Sequence, residues 1–196
     1  MAFLSYQVKD EATPALKRAV RALGPSREKN VALGKRAETV LRRHFLEKGK
    51  QPNKHGWSPR SFFWTRRVRN STAFRGATTT QATVGIAEPG FVTHAEGRTI
   101  YPREKKFLAI PMRSEAYGIR PSSGLIAGLF VLRRREKNRV YLAKREESSG
   151  ALRIFYRLLR KVTVPRDPTA LPSEQTMGSA LVRELTSFVR RKGLLK

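Results

Sequence analysis

Few side chains in this chain have the type and spacing that could do chemistry. The three histidines, His44, His55 and His94, share no metal-ligand spacing such as HExxH. Aspartate occurs twice, at Asp10 near a helix start and at Asp167 in a proline-rich linker. Glycoside or phosphate chemistry needs two or more carboxylates in one pocket. Glu146 and Glu147 are neighbours on a polar turn and point apart. No GxxxxGKS, GxxxxGKT or GxGxxG follows a strand, and no GxSxG elbow occurs. Cysteine is absent, which excludes a disulfide framework, a thiolate metal site and a thiol nucleophile. His94 is the one candidate general base, and a lone histidine is more often a packed or interface residue. The expectation is a protein that is not an enzyme and uses no metal or cofactor.

What the chain does carry is positive charge: 41 Lys and Arg against 15 Asp and Glu, a net +26. Such an excess repels itself and must be screened by salt or by an acidic partner. The surface therefore reads as facing a polyanion, either nucleic acid or an acidic face of another protein. The densest cluster is RRREKNR, residues 133–139, at the tip of an expected hairpin. Arg133, Arg134, Arg135, Lys137 and Arg139 there must sit in water or meet anions, because like charges so close cost stability. Phe62, Phe63 and Trp64 interleave with Arg66, Arg67 and Arg69, a mix that could stack on bases. Adjacent bulky aromatics more often plug a core or a subunit interface, and packing is the favoured reading.

The elements that must position these groups follow from pattern. An apolar fraction of 39% supports a real core, and 196 residues fit one domain, 1–196. No apolar run approaches the roughly 20 residues of a membrane span. The first residues lack the basic region and long apolar run of a signal peptide, and the absence of cysteine is compatible with a cytoplasmic origin. Within 1–48, Thr13 and Pro14 open a first helix that Gly24-Pro25 stops, and Ser26 caps a second running to about Glu47. Residues 48–59 form a loop anchored by Trp57, and Ser58-Pro59 opens a short helix through Val68. The Thr-rich run 77–86 reads as a strand, as does 125–132 with a bulge at Gly128. Residues 139–144 return as its partner strand. The stretch 151–164 fits both helical and extended spacing and is read as an extended, partly strand-like arm. Proline-rich 165–172 leads to a C-terminal helix over 173–194, capped by Ser173.

Residues 91–112, FVTHAEGRTIYPREKKFLAIPM, read as a β-arm. A short strand ends at His94, Gly97 follows, and 98–102 is extended. A basic turn at 103–106 then leads to an apolar strand over 107–110 that Pro111 ends. This segment resembles that of the phage tail-completion and virion-morphogenesis proteins, the small head–tail joining proteins of long-tailed phages. The resemblance is carried by His94, Gly97, Thr99, Ile100, Pro102, Lys105, Lys106, Leu108, Ala109, Ile110 and Pro111. Upstream, Gly56, Trp57, Ser58 and Pro59 match a Gly-x-Trp-x-Pro-like loop, and downstream Pro165, Arg166 and the Ser173 helix keep the family's order. The family's Arg-Pro-Phe is loosened here to PRDPTALP, and the basic hairpin has no counterpart.

The resemblance implies an α+β subunit: a small curved, mainly antiparallel sheet packed against N-terminal and C-terminal helices, with extended β-hairpin arms. It implies a six-fold ring at the virion neck or tail top that completes the tail and joins it to the head. Partners would be copies of itself, the head–tail connector or adaptor, and tail terminator or tail tube proteins, with assembly in host cytoplasm and no membrane. Arm and loop residues His94, Gly97, Thr99, Ile100, Pro102, Lys105, Lys106, Leu108, Ile110 and Trp57 would form interfaces. The positive charge would face transiting DNA or acidic rings. The competing reading is a non-specific basic nucleic-acid-binding protein, and a weaker third is a nuclease.

Overall fold

The structure is a computed structural model that describes residues 24–53, 55–57, 62–134 and 139–193. The helix expected before Gly24 lies outside the described residues. The fold is α+β with small antiparallel sheets. The described residues divide into two compact units. One takes the described parts of 1–43, 71–86 and 172–196, and the other takes 44–70 and 87–171.

The first unit holds both terminal helices and one hairpin. Helix α1 (Arg27–Lys50) starts where Ser26 Oγ accepts from the Lys29 N–H at 3.3 Å, and its residues up to Arg43 belong here. Strands β1 (Thr72–Ala77) and β2 (Ala82–Ile86) pair antiparallel. The Thr-rich run is therefore a turn and a second strand rather than one strand. The Thr78 hydroxyl accepts from the backbone N–H groups of Thr80 and Gln81, and the Thr78 N–H donates to the Gln81 carbonyl, which closes the chain on itself. A Cβ at Gly34 would overlap the Phe74 ring, so a glycine lets α1 lie close on the hairpin. The C-terminal helix α3 (Glu174–Arg191; α2 follows below) is capped as expected, with Ser173 Oγ accepting from the Thr176 N–H at 3.2 Å.

The second unit is built on an aromatic cluster and a sheet. A π-helical turn (Phe63–Val68) runs into a short α-turn (Arg69–Ser71) where one short helix was expected. Helix α2 (Pro89–Glu96) replaces the strand expected to end at His94. Its start signal is Glu88-Pro89: the Glu88 carboxylate accepts from the Gly90 N–H at 3.1 Å, and proline occupies the first helical position. Gly97, at φ +78°, ends it. Phe45, Trp64 and Phe91 meet with ring centroids 5.7–6.3 Å apart, and Phe63 and His94 extend the cluster.

Six further strands follow: β3 (Arg98–Ile100), β4 (Leu108–Pro111), β5 (Phe130–Arg134), β6 (Arg139–Arg145), β7 (Leu152–Leu159) and β8 (Val162–Val164). The sheet order is β4-β7-β6-β5, and β3 pairs with β8. The stretch 151–164 is thus extended, as read. Strand β5 is shorter than expected, because Gly124 and Gly128 adopt φ of +75° and +74° and keep the chain turning until Leu129. A bulge between Leu142 and Ala143 bends the sheet. One sheet face buries Phe155 and Tyr156 against Ala116, Ile126 and Leu129, and the Tyr156 hydroxyl donates to the Ile119 carbonyl at 3.0 Å.

Candidate polyanion-binding and assembly surfaces

The polar centre of the second unit gathers around Asp167, in the proline-rich segment. Its carboxylate pairs with Lys48 at 2.8 Å and accepts from the Thr169 hydroxyl and N–H at 2.7 and 2.9 Å. Lys48 also donates to the Thr169 hydroxyl and lies 5.0 Å over the Trp64 ring. The Asp167 N–H donates to the His94 carbonyl at 2.8 Å, and a His44 ring nitrogen lies 3.0 Å from the Thr169 carbonyl. Burial pushes the Asp167 carboxyl up, but Lys48 and Thr169 outweigh it and hold the group below its ordinary range. Burial lowers the His94 imidazole; Asp167 draws it back up and Lys48 adds a further push down. His94 packs on Phe63 and Trp64. The arrangement is a clasp that holds 165–170 on the unit.

The segment read as a self-paired β-arm is organised differently. Strands β3 and β4 do not pair with each other. Ile100 stands opposite Val162 and Leu108 opposite Leu159, so 98–111 runs antiparallel beside 156–164 as one ribbon, whose β7 also pairs with β6 on its other side. Seven residues, 101–107, then lie opposite only Arg160 and Lys161. The surplus is thrown out as a loop that carries Pro102, Lys105 and Lys106. The physical reason is that 152–164 is the longer β-forming stretch and offers both short strands a partner. Thr99 faces Thr163, their hydroxyls 3.0 Å apart. Leu108 and Ile110 are half-buried, whereas Ile100 is exposed. Gly97 abuts the backbone of Arg166, where an added Cβ would come within 2.6 Å of its nitrogen. Trp57 stacks on His55 and meets Tyr117 edge-on.

The basic hairpin is present as β5–β6, with Arg134 opposite Arg139 and Arg133 opposite Val140. Arg133, Arg134 and Arg139 are exposed; Arg135 and Lys137 lie outside the described residues. Strand β5 is the outer strand of its sheet, and Phe130 and Val131 on it are 39% and 56% exposed. Among the described residues, no hydrogen bond reaches its outer backbone edge. In the first unit the outer edge of β1 is closed. There the Phe74 N–H donates to Glu38 at 3.1 Å, while Arg42 and Asn30 donate to the Thr72 and Thr78 carbonyls at 3.0 Å.

Of the aromatic–arginine segment, Phe63 and Trp64 pack inside, whereas Phe62 is 58% exposed under the Arg66 guanidinium, 4.2 Å away. Arg67 binds both oxygens of buried Glu88 at 3.0 and 2.8 Å. Sequence reasoning passed over the Lys48–Asp167 pair, the Arg67–Glu88 fork and the placement of Arg160 and Lys161 against the loop. All three depend on partners far apart in the chain; only the Glu88-Pro89 helix start left a local signal. A groove of about 620 Å³ between α1 and α3 contains Glu28 and Glu184, each tied in an ion pair, to Lys192 at 2.8 Å and Arg191 at 2.9 Å. Among the described residues no cluster of three His, Asp or Glu could hold a metal ion, and no helix is long and apolar enough to cross a membrane. No protein-family model, curated protein or solved structure matches the chain.

Proposed function

We propose that this protein is a structural virion subunit of the phage neck and tail top. It assembles as a six-fold ring that completes the tail and helps to join it to the head connector. The resemblance of residues 91–112 supports the class. The observation that carries assembly is the open outer edge of β5, with Phe130 and Val131 exposed beside unpaired backbone groups. An edge of this kind is a template for adding a strand from another chain. A neighbouring copy that supplied the strand would satisfy those groups and cover the two side chains.

Native mass measurement of the purified protein tests the assembly, and electron microscopy of particles made without it tests the role. A ring-sized species is expected, and it falls to monomer when Phe130 and Val131 are both replaced by Lys, a residue that blunts exposed edges. Particles made in its absence are expected as separate heads and tails. Normally joined virions without it would reject the role outright.

A further inference from the structure

We propose that the bulged ribbon is a sequence-independent contact for the phosphate backbone of nucleic acid. Its core is Arg103, Lys105 and Lys106 on the loop, with Arg160 and Lys161 on the link between β7 and β8 opposite. Topology puts these five cations together. The β3–β8 pairing holds one end of the loop and the β4–β7 pairing the other, so 101–107 is presented beside 160–161 from two fixed sides. The paired strands that flank both runs lie about 4.8 Å apart, so the two basic runs leave from adjacent strands at each end and can meet neighbouring phosphates. All five side chains are exposed, and Glu104 is the one acid among them.

Several other cations of this unit are already engaged. Arg98 pairs with Glu96, Lys48 with Asp167, Arg67 with Glu88, and Arg153 with Glu146 and Glu115. Among the described residues none of the five ribbon cations has an acid within ion-pairing distance. Fold stability does not use them, and their mutual repulsion is relieved only by anions from outside.

The make-up of the surface selects the anion. Protein–protein contacts have a centre depleted of Lys and rich in apolar groups. The loop offers no such centre: its exposed face is Arg, Lys and Glu, with Tyr101 as the one large aromatic, 61% exposed. Phosphate recognition requires only cations and donors that track a backbone. The inference rests on this charge and geometry and does not depend on the ring reading.

The test is the salt dependence of binding to a mixed-sequence DNA duplex, followed by fluorescence anisotropy. The ribbon variant carries Arg103→Ala, Lys105→Ala, Lys106→Ala, Arg160→Ala and Lys161→Ala. A control removes the same charge elsewhere, by Lys35→Ala, Arg43→Ala, Arg75→Ala, Arg183→Ala and Arg190→Ala. The slope of log K against log salt is expected to flatten by about 0.9 for each phosphate that the ribbon variant no longer neutralises. Where about three phosphates go unneutralised, affinity at low salt falls at least tenfold, and the control stays close to wild type. Lys105→Glu with Lys106→Glu, on the loop alone and outside every strand pair, reproduces the weakening if the five-fold variant fails to fold. Equal weakening of ribbon and control variants would reduce the effect to bulk charge and overturn the site. Unchanged DNA binding with abolished binding to poly-glutamate would overturn it in favour of an acidic protein face.

Discussion

Asp167 serves three partners at once, and its pH behaviour follows from them. Lys48 and Thr169 hold its carboxyl below the ordinary range, so the stability it contributes is complete above about pH 4 and is lost as pH falls through its folded value. His94 acts in the same direction at a higher pH. Its imidazole is depressed in the fold, so the unfolded chain takes up the proton first, and stability declines once pH drops below about 6.5. Thermal melts over a pH series are expected to show two stages of loss. His94→Gln removes the stage that begins near pH 6.5, and Asp167→Asn removes the one near pH 4. Asp167→Asn also costs about 1 kcal/mol at neutral pH, because Lys48 keeps its burial and loses its counter-charge. Wild-type and variant profiles of the same shape would contradict both assignments.

At the level of elements, α1 both packs on the β1–β2 hairpin and seals its border. Glu38 and Arg42, one helical turn apart, reach backbone groups of Phe74 and Thr72. Glu38→Ala is expected to cost about 1–2 kcal/mol by leaving the Phe74 N–H without its acceptor. Concentration-dependent aggregation should accompany the loss, visible by light scattering; a variant that melts like wild type and stays clear would show that the seal is dispensable. This pairing also marks where the sequence ceased to be readable. Local signals located α1, the α3 cap at Ser173, the β5–β6 hairpin and the extended 152–164 stretch, since each rests on neighbours in sequence. The partners of β3 and β4 were not legible. A three-residue strand such as Arg98–Ile100 carries too little pattern to name its mate, and only the register beside 162–164 supplies it. Thr78 misled in the same way: β-branched residues read as strand, yet its hydroxyl bonds local N–H groups and makes the turn.

For the whole molecule the governing quantity is the +26 charge. Self-repulsion on that scale destabilises the folded state and is screened by salt. The melting midpoint is expected to rise by about 2–6 °C between low and moderate ionic strength, equivalent to about 1–2 kcal/mol for a chain of this size. A midpoint that fell with added salt, measured by scanning fluorimetry, would mean that ion pairs outweigh the repulsion. The ribbon carries a further consequence. Since paired strands bracket 101–107 at both ends, neither register depends on how many residues intervene. A foreign epitope or a reporter peptide spliced between Glu104 and Lys105 leaves both flanking pairings intact. This is the point at which the chain can change length, and so diverge or be engineered, while its architecture stays the same.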